Sequence, residues 1–324
     1  MDSITYNAAI RACEHGTSWQ NSLALFSIMS GQFPEPSGIP LGSVINACRT
    51  VSAWVLACNL LRKELNRWRT LDRFQPTLPS PPASHALWKA GLTILAQYQG
   101  VLAVFKAAGV TTDSIIERVR DKFALSGGPD VTCVSRLDVP TSGVLVMALG
   151  TQGSTSANYV LAQFAGRLAI KSYHCLCSGN VLGSIGSKAV RSARLSITTD
   201  NDKSRAYVST VAGKEACTLL LAKACYHLTG LNGMQDGSFT FAEVRPLTGR
   251  THQIRAHLAS LGRPLVSDAV YANQAFAADS QWCPRLFLHC SRITLRDMDG
   301  PFCSAEAPLT PDLIRALGML RKKK

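Results

Sequence analysis

The chain has 324 residues, 46% hydrophobic and 17% charged, and its 34 Lys and Arg outnumber 21 Asp and Glu to give a net charge of +13. No apolar run approaches the roughly 20 residues of a membrane span, and the opening Met1-Asp2-Ser3-Ile4 lacks the basic-then-apolar pattern of a secretory signal. Eleven cysteines without a CxxC pair match neither a zinc site nor a disulfide framework, so they are expected as buried small hydrophobes, with no structural metal.

Residues 1–72 read as a helical repeat. Thr5-Tyr6-Asn7-Ala8-Ala9-Ile10-Arg11-Ala12-Cys13 recurs as Pro40-Leu41-Gly42-Ser43-Val44-Ile45-Asn46-Ala47-Cys48, and Trp19 recurs as Trp54, both at a step of 35. The Thr-Tyr-Asn opening and Leu23-Ala24-Leu25-Phe26 resemble the pentatricopeptide repeat, a reader of single-stranded RNA, which would put base-selecting positions at Asn7 and Ser37. Fewer units are visible than a solenoid needs, so the alternative is a helical cap that reads nothing. Residues 73–91, with Pro76, Pro79, Pro81 and Pro82, cannot continue a helix and read as a linker.

From residue 92 to 324 the pattern turns to mixed α and β. Val101–Phe105 reads as a buried strand ending at a Lys106–Gly109 turn, Ile115, Ile116 and Val119 as a short helix, and Val144–Leu149 as a central strand. Tyr159, Leu161, Ala162 and Leu168 suit a helix feeding a strand at Tyr173. Phe239–Val244 alternates as a strand. Ile254, His257, Leu258 and Leu261 form a buried helical stripe with Arg255 off it. Thr310-Pro311 starts a last helix that buries Leu313, Ile314, Leu317 and Leu320. Strands interspersed with isolated helices predict an α+β domain.

Two segments carry the chemistry. Arg136-Leu137-Asp138, followed by Thr141-Ser142-Gly143, places a carboxylate at a turn leading into a strand, reachable from a cleft yet half desolvated. An aspartate in such a place is also the ordinary cap of a turn. Arg245-Pro246-Leu247-Thr248-Gly249-Arg250-Thr251-His252-Gln253-Ile254-Arg255 packs cationic and switchable donors into a glycine turn that opens a helix, with Thr251 able to cap it and present the helix N-terminus to an anion. His252 and His257 share no helical face, so a zinc pair is disfavoured. His257 reads as a core histidine. Arg255 is free to form a bidentate pair with Asp138 that would hold the carboxylate aligned and nucleophilic. Tyr173, in Lys171-Ser172-Tyr173, can stack on a base. The excess of cations either keeps the surface solvated or attracts a polyanion; the arginines inside the glycine turn favour the second.

These segments resemble the RluA-type family of RNA pseudouridine synthases over residues 94–296. Arg136-Leu137-Asp138 with Thr141-Ser142-Gly143 resembles its catalytic motif, Lys171-x-Tyr173 the stretch carrying its active-site tyrosine, and Gly249–Arg255 its most diagnostic run. Lys106-x-x-Gly109, Gly213–Thr218, Asp268, Tyr271 and Leu286-x-Leu288-His289 continue the match. The chain departs from the pattern at Ser135, where histidine is common, at Ala107, where proline is, at Val139-Pro140, and at Ser267, where a glycine usually stands. The resemblance implies a mixed, largely antiparallel sheet with flanking helices, and isomerisation of uridine to pseudouridine in RNA (ribosomal, transfer or messenger). It further implies Asp138, Tyr173 and Arg255 as catalytic residues, RNA contacts from Arg136, Arg250, Thr251, His252 and Gln253, and no cofactor. A monomer is expected, and the repeat-like start suggests a mitochondrial or plastid RNA. The rivals are a catalytically inactive RNA-binding protein and a hydrolase, which needs a second acid near Asp138.

Overall fold

A computed structural model describes Leu25 and residues 92–200, 203–228, 237–298 and 302–322. The repeat expected over 1–72, including Asn7 and Ser37, and the linker at 73–91 lie outside the described residues, Leu25 excepted. Apart from the stretch Ala162–Leu168, the elements below fall within one compact unit, His85–Leu161 with Ala169–Lys324.

The strands are β1 (Thr93–Tyr98), β2 (Val101–Lys106), β3 (Val131–Cys133), β4 (Ser142–Leu149), β5 (Ile170–Ser178), β6 (Lys188–Asp200), β7 (Lys203–Ser209), β8 (Lys214–Leu228), β9 (Gly237–Pro246), β10 (Leu288–Arg296), β11 (Phe302–Glu306) and β12 (Arg321–Lys322). The helices are α1 (Thr112–Leu125), α2 (Thr155–Ala165), α3 (Gln253–Ser260), α4 (Phe276–Asp279) and α5 (Pro311–Gly318). Among the described residues the strands form one sheet in the order β1-β2-β4-β10-β5-β9-β8-β6-β7, with β3 on β4, β11 on β10 and β12 on β8. All pairings are antiparallel except β4 with β10. The expected mixed, largely antiparallel α+β fold is the one observed.

The parallel seam depends on a glycine. Gly143 sits opposite Cys290 with φ of 122°, and a Cβ there would lie 2.1 Å from the Cys290 carbonyl oxygen. Only a residue without a side chain lets the two backbones approach so closely. Beside it His289 is sealed, its Nδ1 2.8 Å from the Ser142 hydroxyl and its Nε2 3.0 Å from the Ala307 carbonyl.

The apolar patterns work as read, with local exceptions. Ile115, Ile116 and Val119 are buried on α1, whose N-cap Thr111 accepts from the Ser114 amide at 3.1 Å. Leu313 and Leu320 are buried, the latter just past α5, but Ile314 is exposed. Leu168 lies beyond the end of α2. On α3 the single-stripe reading fails: Gln253 to Leu258 are all buried, Arg255 among them, whereas Leu261 is exposed. A short helix packed against β6, β7, β8 and β9 is enclosed on more than one face, which periodicity alone does not reveal.

Burial holds His257 and His289 neutral, each with its pKa pushed down to about 4 from the usual 6.5. Between those two pH values the unfolded chain binds protons that the folded chain refuses, so stability falls as the pH drops through that window. Urea denaturation from pH 7 to 4 should show this loss, on the order of 3 kcal/mol per histidine. His257→Gln should flatten the profile, and identical slopes for variant and wild type would remove the histidine from the account.

Candidate active site

Asp138 owes its place to a turn tied down from below. Lys106 ends β2 and is fully buried; its Nζ donates to the carbonyls of Ala107 (3.0 Å), Val139 (3.1 Å) and Thr141 (2.8 Å). Burial lowers its pKa to about 8, although the Asp138 charge pulls the other way. The Gly109 amide donates to the Val139 carbonyl at 2.8 Å, and the Thr112 hydroxyl bridges the Leu137 carbonyl (3.2 Å) and amide (3.3 Å). The Thr141 amide closes the turn on the Asp138 carbonyl at 2.9 Å. Ser135, where the family pattern favours histidine, bonds both the carbonyl (2.9 Å) and the amide (3.2 Å) of Val146 and so stitches the approach to Asp138 onto β4.

The Asp138 side chain remains 28% exposed, and two groups from the glycine-turn segment face it. Arg255 Nη1 is 3.5 Å and His252 Nε2 3.8 Å from Oδ2. The expected bidentate pair between Arg255 and Asp138 is corrected: the bidentate partner is Asp268, at 2.8 Å from both Nε and Nη2. Asp268 is fully buried and also accepts from the amides of Val270 (3.0 Å) and Tyr271 (3.2 Å). Burial disfavours the Arg255 charge, but the bonds and charge of Asp268, aided by Asp138, outweigh it and raise the guanidinium pKa. Ser267, which replaces the usual glycine, takes a left-handed φ of 55°, a conformation costing on the order of 1 kcal/mol. Its hydroxyl donates to the Cys283 carbonyl at 2.6 Å and its amide to Asp279 at 3.1 Å, which holds it there.

The remaining expected residues divide. Tyr173 is buried on β5, and its phenol is pushed well above its ordinary value by burial and by the neighbouring Cys290 thiol, to which it is hydrogen-bonded, with the Asp138 charge adding to the rise. At neutral pH it is a neutral ring and hydroxyl, not a phenolate base. Burial lowers the His252 pKa against the opposing pull of Asp138, and the Arg255 charge lowers it further, so His252 offers a hydrogen bond and no full charge. Thr251 is exposed and does not cap α3; His252 occupies the N-cap position with φ of 50° and no side-chain cap bond. Gln253, expected at the RNA surface, is buried instead. Its amide nitrogen donates to the Cys217 carbonyl and the Thr218 hydroxyl, both at 2.9 Å, while its oxygen accepts from the Thr248 hydroxyl (2.6 Å) and the Arg250 amide (3.1 Å). That bonding folds the glycine turn and leaves the side chain nothing for a ligand. Arg250 is half-buried and donates from Nε to the Glu215 carbonyl at 3.1 Å. Arg136 is exposed beside the turn, 3.9 Å from Asp113.

The site thus sets a part-exposed carboxylate beside a buried guanidinium and an imidazole on a mixed, largely antiparallel sheet. The family model described as RNA pseudouridylate synthase matches residues 101–260. The tRNA pseudouridine synthase C of Vibrio vulnificus (strain CMCP6) is 30% identical over 217 residues, covering 62% of this chain and 84% of the relative. The dual-specificity RNA pseudouridine synthase RluA of Vibrio parahaemolyticus serotype O3:K6 (strain RIMD 2210633) is 29% identical, covering 60% and 73%. The solved human RNA pseudouridylate synthase domain containing 1 shares the fold with a TM-score of 0.57 at 22% identity, covering 72% of this chain and 89% of that one. Human RNA pseudouridylate synthase domain containing 4 does so at 0.53 and 18%, covering 72% and 94%. The chain belongs to the RNA pseudouridylate synthase family, in its RluA-type branch.

The geometry separates the two carboxylates by their worth to the fold. Asp268→Asn leaves the buried Arg255 short of its main counter-charge and should destabilise by about 3–5 kcal/mol, whereas Asp138→Asn, at a part-exposed position, should change stability by less than about 1 kcal/mol. Urea denaturation of both variants checks this; a loss for Asp138→Asn equal to or larger than that for Asp268→Asn would show that Arg255 does not depend chiefly on Asp268.

Proposed function

We propose that residues 92–324 isomerise uridine to pseudouridine in RNA with Asp138 as the catalytic carboxylate, Arg255 orienting it, and Tyr173 stacking on the uracil. The observation that carries this reading is the contrast between Asp138, which is part-exposed, and Asp268, which is buried and consumed by Arg255. Among the described residues the other carboxylate at this site, Asp268, is buried and bonded to Arg255, so the hydrolytic alternative lacks support for the paired acid it requires. The inactive alternative has no support either, since the relatives bear the names of synthases.

The target uridine must first leave its stack, at a cost of a few kcal/mol repaid by stacking and phosphate contacts. The carboxylate of Asp138 assists the departure of uracil from the sugar as the bond between N1 and C1′ breaks. The uracil turns in place, its C5 bonds to C1′, C5 gives up its proton, and N1 finishes protonated. Because the Tyr173 phenol stays neutral, it serves as a stacking surface and hydrogen-bonding group, and the C5 proton leaves to water, from which N1 takes its own. Arg136 on the rim and Arg250 at the glycine turn are suited to phosphates, with His252 as a neutral donor to the flipped nucleotide. Thr251, exposed in the same turn, is within the surface such contacts would use. The repeat-like segment 1–72 is proposed as a helical cap ahead of this domain, joined by the linker at 73–91. Whether transfer, ribosomal or messenger RNA is the substrate is decided by assay.

The direct test incubates the purified chain with transcripts of tRNA and rRNA and maps pseudouridine by reverse transcription after carbodiimide treatment. Asp138→Asn should reduce formation by more than about a thousandfold while keeping RNA affinity within about threefold. A tenth of the wild-type rate in that variant would refute the assignment of Asp138.

A further inference from the structure

Tyr271 contacts three residues that surround Asp138: His252, Arg255 and Asp268. Its hydroxyl both accepts from the Ala206 amide (2.9 Å) and donates to the Ala206 carbonyl (2.7 Å), on the free edge of β7. The same hydroxyl is 3.3 Å from His252 Nδ1. Its ring centroid lies 5.2 Å from the guanidinium carbon of Arg255 and 5.2 Å from that of Arg205, and its backbone amide donates to Asp268. The ring packs on the small cluster of Leu195, Ala206, Ala216 and Ala256 that joins α3 to the β6–β7 hairpin.

Two consequences follow from these contacts. Arg255 is held bidentately along one edge by Asp268 and bounded by the Tyr271 ring, so the one nitrogen that reaches Asp138 has little choice of direction. The β6–β7 hairpin meets this region through the two Ala206 hydrogen bonds and the alanine-lined cluster. That hairpin carries exposed Lys188, Arg194 and Arg205, with Lys214 at the start of the adjoining β8. A cationic ribbon at a sheet edge suits an RNA backbone.

We propose that Tyr271 is a positioning residue with two separable parts: its ring sets Arg255 against Asp138, and its hydroxyl holds the basic β6–β7 hairpin at the angle from which it engages the RNA backbone. This rests on the reading of Asp138 given above. The ring governs the rate at saturating RNA, and the hydroxyl governs how much RNA is needed to saturate.

The test compares Tyr271→Phe with Tyr271→Leu on the transcript in which the wild-type chain forms most pseudouridine. Tyr271→Leu loses ring and hydroxyl together; kcat should fall at least about tenfold, as a displaced orienting group does. Tyr271→Phe should restore most of that kcat, to within about threefold of wild type, while KM stays raised about fivefold and its dependence on salt weakens. A merely structural tyrosine would lower kcat and KM effects in step with melting temperature, without this split. Equal kcat losses in the two variants, or a wild-type KM for Tyr271→Phe, overturn the proposal. Hydrogen exchange on the wild-type chain gives a reading that needs no variant: the Ala206 amide, on a free edge, should be protected at least about tenfold relative to an unbonded amide. An unprotected Ala206 amide also overturns it. Wild-type chain that forms no pseudouridine in any transcript counts against the Asp138 reading and not against Tyr271.

Discussion

The buried pair of Arg255 and Asp268 is the interaction on which the site depends. Two bonds of 2.8 Å fix the guanidinium, with its partner wholly removed from water. Such a pair contributes little net stability over an apolar substitute, because desolvation consumes much of the Coulomb gain. Its value is geometric. A forked donor locked along one edge can present its remaining nitrogen to Asp138 in one direction only, and a single contact of 3.5 Å aligns the carboxylate without consuming both its oxygens. A fully bidentate pair with Asp138 would have buried that carboxylate in its own support.

The opposite wall is built by a different means. Lys106 brings a charge into the floor of the Asp138 turn and spends it on three backbone carbonyls, which no strand or helix could otherwise satisfy there. The turn is therefore held through its backbone, leaving the Asp138 side chain to face outward. Both supports are charged groups removed from solvent, so the one part-exposed charge between them is set by rigid neighbours on two sides. The parallel seam at Gly143 and Cys290 brings the Asp138 turn into register with β10 and hence with Tyr173 on β5, which bonds the Cys290 thiol.

Much of this was legible along the chain. Asp138 before a Ser/Gly turn, the β4 run, the alternation at Phe239–Val244 and the glycine turn opening α3 are local signals, because turn geometry and side-chain period are properties of neighbours in sequence. Arg255 was legible as a cation of the glycine-turn segment but not as a buried one, because the stripe reading left it on an open face that the structure closes. Gln253 was misjudged because a polar residue between two arginines looks like surface, and only the return of Cys217 and Thr218 on β8 shows that two buried hydrogen bonds await its amide nitrogen. Thr251 has the right chemistry for a cap, but the left-handed His252 delays the helix beyond its reach. The signal that could have exposed Lys106 was present: a lysine closing a strand of uninterrupted apolar residues has its neighbours on both faces buried.

By itself, then, the sequence determined the fold class and several of its elements, among them β2, β4, β9 and α1, because side-chain period is local, and its motifs resembled the family to which the chain belongs. The tertiary structure alone decided the partnerships. That Arg255 spends two bonds on Asp268 and one contact on Asp138, and that Tyr271 reaches from Arg255 to Ala206 across 65 residues, depends on which loops the sheet order brings together. Side chains far apart in sequence can meet in many pairings of similar chemistry, and packing and burial select one, because a buried charge tolerates only the arrangement that satisfies it.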